Sequence, residues 1–78
     1  MTDLVNHPPH YTAGKVEAID AIEAAVMGLD AFEGYATGNA LKYLFRWKRK
    51  GGVQDLDKAI WYINRMKEYA QSHTNTPA

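Results

Sequence analysis

The residues whose types and spacing could do chemistry lie within Gly38-Asn39-Ala40-Leu41-Lys42-Tyr43-Leu44-Phe45-Arg46-Trp47-Lys48-Arg49-Lys50. Placed on a helix at about 100° per residue, this stretch sorts into two unequal arcs. Ala40, Leu41, Tyr43, Leu44, Phe45 and Trp47 share a wide apolar arc broken only by Lys48. Asn39, Lys42, Arg46, Arg49 and Lys50 share the remainder, which carries no acidic residue. A purely cationic strip suits an anion, and phosphate above all, because guanidinium forks and ammonium groups both make charge-assisted bonds to its oxygens. Arg49 and Lys50 have a plainer explanation, since basic residues in a last turn compensate the helix dipole. Lys42 and Arg46, one turn apart in mid-helix, have no such explanation.

Around that strip the chemistry is mostly absence. The chain holds no G-x-x-x-x-G-K-[ST] loop, no G-x-G-x-x-G, no G-x-S-x-G and no cysteine, so no catalytic residue is assigned. His7 and His10 lack the further ligands a metal centre needs, and neither a metal nor a cofactor is expected. His10 and Tyr11 follow Pro8-Pro9, and a proline-stiffened arm can hold an imidazole and a phenol over a pocket at little entropic cost. Lys58 either faces the same site as Lys42 or pairs locally with Asp55 or Asp57. A competing arrangement has the acids of the first half, Glu17, Asp20, Glu23, Asp30 and Glu33, neutralising the basic helix within or between subunits.

The elements that must position these residues read as helices. Val16, Ile19, Ile22 and Val26 recur at spacings of three and four, predicting a first helix over Val16 to Met27 that Gly28 ends. Leu29 to Gly34 reads as a connector between two glycines. Thr37 is the expected N-cap of the central helix, which Gly51-Gly52 stops. A third helix is expected from Val53–Asp55 to about Gln71, with Leu56, Ala59, Ile60, Ile63, Met66 and Ala70 as its apolar stripe. No strand-like alternation is evident. The expected fold is all-α: a small three-helix domain with a helix 2–helix 3 antiparallel hairpin and an extended N-terminal arm. It forms a single domain over 1–78, with an ordered arm at 1–14, a helical core at 15–71 and a frayed tail at 72–78.

Composition bounds what such a domain can be. Seventy-eight residues without a cysteine give a small core and no covalent staple, and the wide apolar arc of the central helix asks for burial on two sides. A homo-oligomer is therefore expected. A formal net charge of zero argues against general nucleic-acid binding, which needs a net basic face. No secretory leader or membrane span is evident, so a cytoplasmic location is expected, without a membrane partner.

Three stretches together carry a resemblance: His10-Tyr11 with Gly14-Lys15-Val16-Glu17-Ala18-Ile19-Asp20, then Gly38-Asn39-Ala40-Leu41-Lys42-Tyr43-Leu44-Phe45-Arg46, then Asp55-Leu56-Asp57-Lys58-Ala59-Ile60-Trp61-Tyr62. From about His7 to about Met66 the chain resembles the DUF3310 (SaV-like) family of small bacteriophage proteins. The resemblance extends to a segment of a longer nucleotide kinase of a short-tailed coliphage. It implies a nucleotide-type small-molecule partner. A compact chain with a cationic, aromatic-edged pocket and no catalytic set is also similar in design to phage proteins that sequester nucleotide immune signals, such as cyclic ADP-ribose derivatives or cyclic dinucleotides. Arg46 and Lys42 are then expected on phosphate oxygens and Asn39 on a polar ligand edge. Tyr11, with Trp47 or Tyr43, would cover a base or ribose face, His10 would donate a hydrogen bond, and Lys58 would join the site. The alternatives are a nucleoside monophosphate kinase and a host-protein interaction module.

Overall fold

The computed structural model describes residues 12–13 and 16–73. His10 and Tyr11, most of the expected arm and residues 74–78 lie outside the described residues. Two short strands, β1 (Thr12–Ala13) and β2 (Val16–Glu17), pair antiparallel with Thr12 opposite Glu17 and Ala13 opposite Val16. Three helices follow: α1 (Ala18–Val26), α2 (Ala31–Arg46) and α3 (Gly52–His73). The all-α three-helix reading holds, with α2 between the other two and packed most heavily against α3. Among the described residues, no helix is long and apolar enough to cross a membrane.

Several boundaries differ from the sequence reading. Among them, α2 closes at Arg46 and not at Gly51-Gly52, so Arg46 lies in its last turn and Lys48, Arg49 and Lys50 lie in the turn that follows. The first helix starts at Ala18, because Val16 and Glu17 spend their backbone in the two-residue ladder, which is too short to show alternation. The larger correction concerns α2. It begins at Ala31, two turns before Thr37, on a reciprocal cap: Glu33 N–H donates to the Asp30 carboxylate at 2.8 Å, and Asp30 N–H donates to the Glu33 carboxylate at 3.0 Å. This D-x-x-E pairing satisfies two of the amides a helix start leaves open. Thr37 therefore sits mid-helix, where its hydroxyl donates to Met66 Sδ at 3.0 Å across the α2–α3 contact.

Gly34, which reads as a breaker in the sequence, sits inside α2, and the closer approach to α1 is at Gly38. Gly34 and Gly38 lie four apart on the side of α2 that meets α1. A Cβ on Gly38 would stand 3.4 Å from Ile22 Cγ2, and one on Gly34 3.8 Å from Val26 Cβ. The helix cost of Gly38, about 1 kcal/mol relative to alanine, is offset by letting α1 settle against the α2 backbone there. α2 is thus packed on two sides within one chain, by α1 and by α3.

Gly52, at φ +60°, makes the turn into α3, and its N–H donates to the Trp47 carbonyl at 2.6 Å. At the far end α3 continues past Gln71. Ser72 Oγ donates to the Tyr69 carbonyl at 3.0 Å, and the His73 ring stacks on Tyr69 at 4.1 Å, which gives the expected frayed segment two more helical residues. The packing interior is narrow. Among the described residues, the buried hydrophobic ones are Ala18, Ala36, Ala40 and Ala59, while Ile19, Leu44, Val53, Ile60, Trp61 and Ile63 stay largely exposed.

Candidate anion-binding site

The site forms where the last two turns of α2 run past the first turns of α3. Helical spacing brings Asn39, Lys42, Tyr43 and Arg46 to one side of α2, and the hairpin lays Lys58 and Tyr62 of α3 beside them. The Tyr43 ring is the centre. Lys42 Nζ lies 4.7 Å from its centroid, Arg46 Cζ 4.8 Å and Lys58 Nζ 5.3 Å. Tyr62 stacks on Tyr43 with centroids 6.0 Å apart and planes 19° from parallel. A ring quadrupole attracts each cation singly, but three cations about one ring repel one another, and the arrangement favours an added anion.

Part of that charge is already answered. Arg46 donates to Asp55 from both Nε (3.0 Å to Oδ2) and a terminal nitrogen (3.3 Å to Oδ1), an in-plane fork that a guanidinium makes and an ammonium does not. Asp55 is 1% exposed and the Arg46 side chain 12%. The guanidinium holds the Asp55 carboxyl below the usual carboxylate range against the opposing effect of burial, with smaller help from Lys58 and the Gly51 backbone. The carboxylate lies so close over Gly51 that a Cβ there would overlap it. Arg46 is therefore a structural clamp as well as a wall of the site. Its acidic partner comes from α3, not from the acids of the first half. Among the described residues, neither Lys42 nor Lys58 forms an ion pair with a carboxylate.

The remaining expected residues divide. Asn39 donates one amide hydrogen to the Tyr35 carbonyl at 2.9 Å, which fixes its plane beside the strip. Trp47 caps α2 and carries Lys48 over its ring at 5.7 Å; among the described residues its ring makes no stacking contact with Tyr43. Sequence reasoning missed the aromatic backing: Tyr62 meets Tyr35 edge-on at 5.7 Å with their hydroxyls 3.4 Å apart, and Trp61 meets Tyr62 edge-on at 5.0 Å. The Tyr35 hydroxyl, with burial, raises the Tyr62 phenol above its ordinary value. The available signal was the four-residue step from Lys58 to Tyr62, which puts both on one helical face.

A second feature lies at the opposite end of the hairpin, where Phe32, Arg65, Glu68, Tyr69 and Ser72 line an open groove of about 530 Å³. None of the residues expected from sequence lines it. Tyr69 there donates to Asp30 at 2.5 Å, tying the start of α2 to the end of α3 and holding the Asp30 carboxyl below its usual range. Among the described residues, no group of three or more His, Cys, Asp or Glu could hold a metal ion.

DUF3310, a family described as being of unknown function, matches residues 5–64. The chain belongs to the DUF3310 family. Among curated proteins, the gene 1.7 protein of Enterobacteria phage T3 is 46% identical over 57 residues, covering 72% of this chain and 34% of that protein. The nucleotide kinase gp1.7 of Escherichia phage T7 is 36% identical over 70 residues, covering 88% of this chain and 35% of that protein. The chain thus spans about a third of the length of these curated relatives. No solved structure matches.

Proposed function

We propose that this DUF3310 domain binds a phosphate-bearing nucleotide at the Tyr43 cluster and sequesters it, countering host immune signalling when the nucleotide is a signal such as a cyclic ADP-ribose derivative or a cyclic dinucleotide. The observation that carries the reading is the convergence of Lys42, Arg46 and Lys58 on one tyrosine ring, where the carboxylate bonded among them from the described residues is that of Asp55. Lys42 and Lys58 supply the ammonium groups for phosphate oxygens, and Arg46 adds its field while held by Asp55. Tyr43 and Asn39 offer a face and a polar edge to the nucleoside. His10, Tyr11 and Trp47 complete the proposed site. The protein works as a homo-oligomer in the host cytoplasm.

A second reading is favoured by the name of one relative, nucleotide kinase gp1.7. In it, the domain contributes to phosphorylating a nucleoside monophosphate. Phosphoryl transfer needs two nucleotides placed in line and water kept away, and this chain covers about a third of that relative.

One experiment separates the two. The pure protein is incubated with cyclic ADP-ribose, cyclic dinucleotides, or ATP with a deoxynucleoside monophosphate, then desalted, heat-denatured and chromatographed. Recovery of a retained, chemically unchanged cyclic nucleotide supports sequestration. ADP and a nucleoside diphosphate in the last mixture, sampled before desalting, support the kinase. Retention of nothing together with no ADP formed overturns both and leaves a host-protein interaction module.

A further inference from the structure

The α3 helix carries two apolar seams, and α2 covers only one. Asp55, Ala59, Tyr62, Met66, Tyr69 and His73, stepping by four and three, form the side turned toward α2. Val53, Leu56, Ile60, Ile63, Lys67 and Ala70 step by three and four, a heptad a/d pattern, roughly a quarter turn further around the helix. On this second seam Val53 is 71% exposed, Ile60 54% and Ile63 42%. A regular seam open to water beside an all-alanine interior is a face that needs a cover.

We infer that a second copy of this chain covers the seam, α3 against α3 and antiparallel. The pattern is its own complement in that direction. Centred between Ile60 and Ile63, it sets Val53 against Ala70, Leu56 against Lys67 and Ile60 against Ile63 of the other copy, and each pairing occurs twice about one two-fold axis. The same register brings the Lys67 ammonium next to Asp57 of the other copy, both exposed in the single chain. A parallel pair would instead stack Lys67 on Lys67. Polar residues at a positions fix register in this way. The inference does not depend on the nucleotide reading.

The chain has no cysteine, so single substitutions report the pairing directly. Val53→Cys and Ala70→Cys proteins are prepared separately, mixed, oxidised and weighed by mass spectrometry, alongside sedimentation of the unmodified protein over a hundredfold concentration range. The antiparallel pair gives a mixed disulfide joining one Val53→Cys chain to one Ala70→Cys chain, together with a concentration-dependent dimer mass. It gives little Val53→Cys homodimer, because the two copies of position 53 then stand about 26 Å apart along the axis. Efficient Val53→Cys homodimers would overturn the proposal in favour of a parallel pair. A single-chain mass throughout, or a dimer in which Glu68→Cys crosslinks and the seam cysteines do not, would overturn the surface itself.

Discussion

Arg46 in the last turn of α2 and Asp55 in the first turn of α3 grip each other through two hydrogen bonds across a five-residue turn, with Gly51 directly beneath the carboxylate. The pair closes the hairpin at the end where Lys42, Tyr43 and Lys58 gather. Fold and candidate site therefore share a fastening.

Removing Arg46 leaves the Asp55 carboxylate buried without its guanidinium, and removing Asp55 takes the fork's carboxylate from Arg46. Asp55→Asn and Arg46→Lys should each lower Tm by about 8 °C or more, the lysine because one ammonium cannot reproduce the fork. Gly51→Ala should behave like Asp55→Asn, since its methyl group occupies the space of the carboxylate. Thermal unfolding followed by circular dichroism reads all three. An unchanged Tm in Asp55→Asn would show that the hairpin does not rest on the pair.

The pH profile of stability should fall at both extremes. Asp55 and Asp30 are held below the ordinary aspartate value of 3.8, by the Arg46 and Tyr69 hydrogen bonds respectively. Depressed carboxyls stabilise the fold above the unfolded value, so stability should hold from neutral pH to about 4 and drop as their folded values are crossed. The Tyr69 and Tyr62 phenols are raised above 10.0, chiefly by Asp30 and by Tyr35, so they stabilise below pH 10 and that contribution is lost as the pH climbs through their folded values. Urea titrations at stepped pH measure both limbs. Tyr69→Phe should flatten the alkaline limb and weaken the acid one.

The glycines of α2 should respond oppositely to enlargement. Gly34→Ala meets only an ordinary contact with Val26 and removes a helix-interior glycine, so it should raise stability by up to about 1 kcal/mol. Gly38→Leu would drive a side chain into Ile22 and should lower Tm and loosen α1. Amide exchange in Ala18–Val26 would report the second effect.

Ligand affinity should separate from stability at the lysines. A charge-assisted contact is worth about 1.5–3 kcal/mol, so Lys42→Gln and Lys58→Gln should each weaken nucleotide binding by about tenfold or more. Their Tm should stay close to that of the parent, since neither lysine forms an ion pair with a carboxylate among the described residues. Calorimetry at two salt concentrations gives the comparison, and equal affinity across the variants would move the site elsewhere.

Much of this is readable in the sequence. The three-four spacing in α3 and the glycines after Lys50 announce the hairpin, and the cationic strip is visible because Asn39, Lys42 and Arg46 lie a turn apart. The start of α2 is hidden for a physical reason. Glycine at 34 and 38 is costly in an isolated helix, and the use of Gly38 emerges only once Ile22 of α1 is seen against it. The same applies to Asp55. Nothing local separates it from Asp57, and only the hairpin turns one inward to Arg46 and leaves the other in water. The Tyr62 and Tyr35 backing of the site likewise depends on two helices meeting.

The alanine interior has a consequence for how this small domain responds to change. A methyl group has no torsion to adjust, so Ala36, Ala40 and Ala59 cannot swap rotamers to absorb a displaced neighbour. Helices packed through methyl groups pass such a displacement to their backbones. Substitutions that bring diversity among relatives should accordingly gather on the outer surfaces, where long side chains have room to trade places.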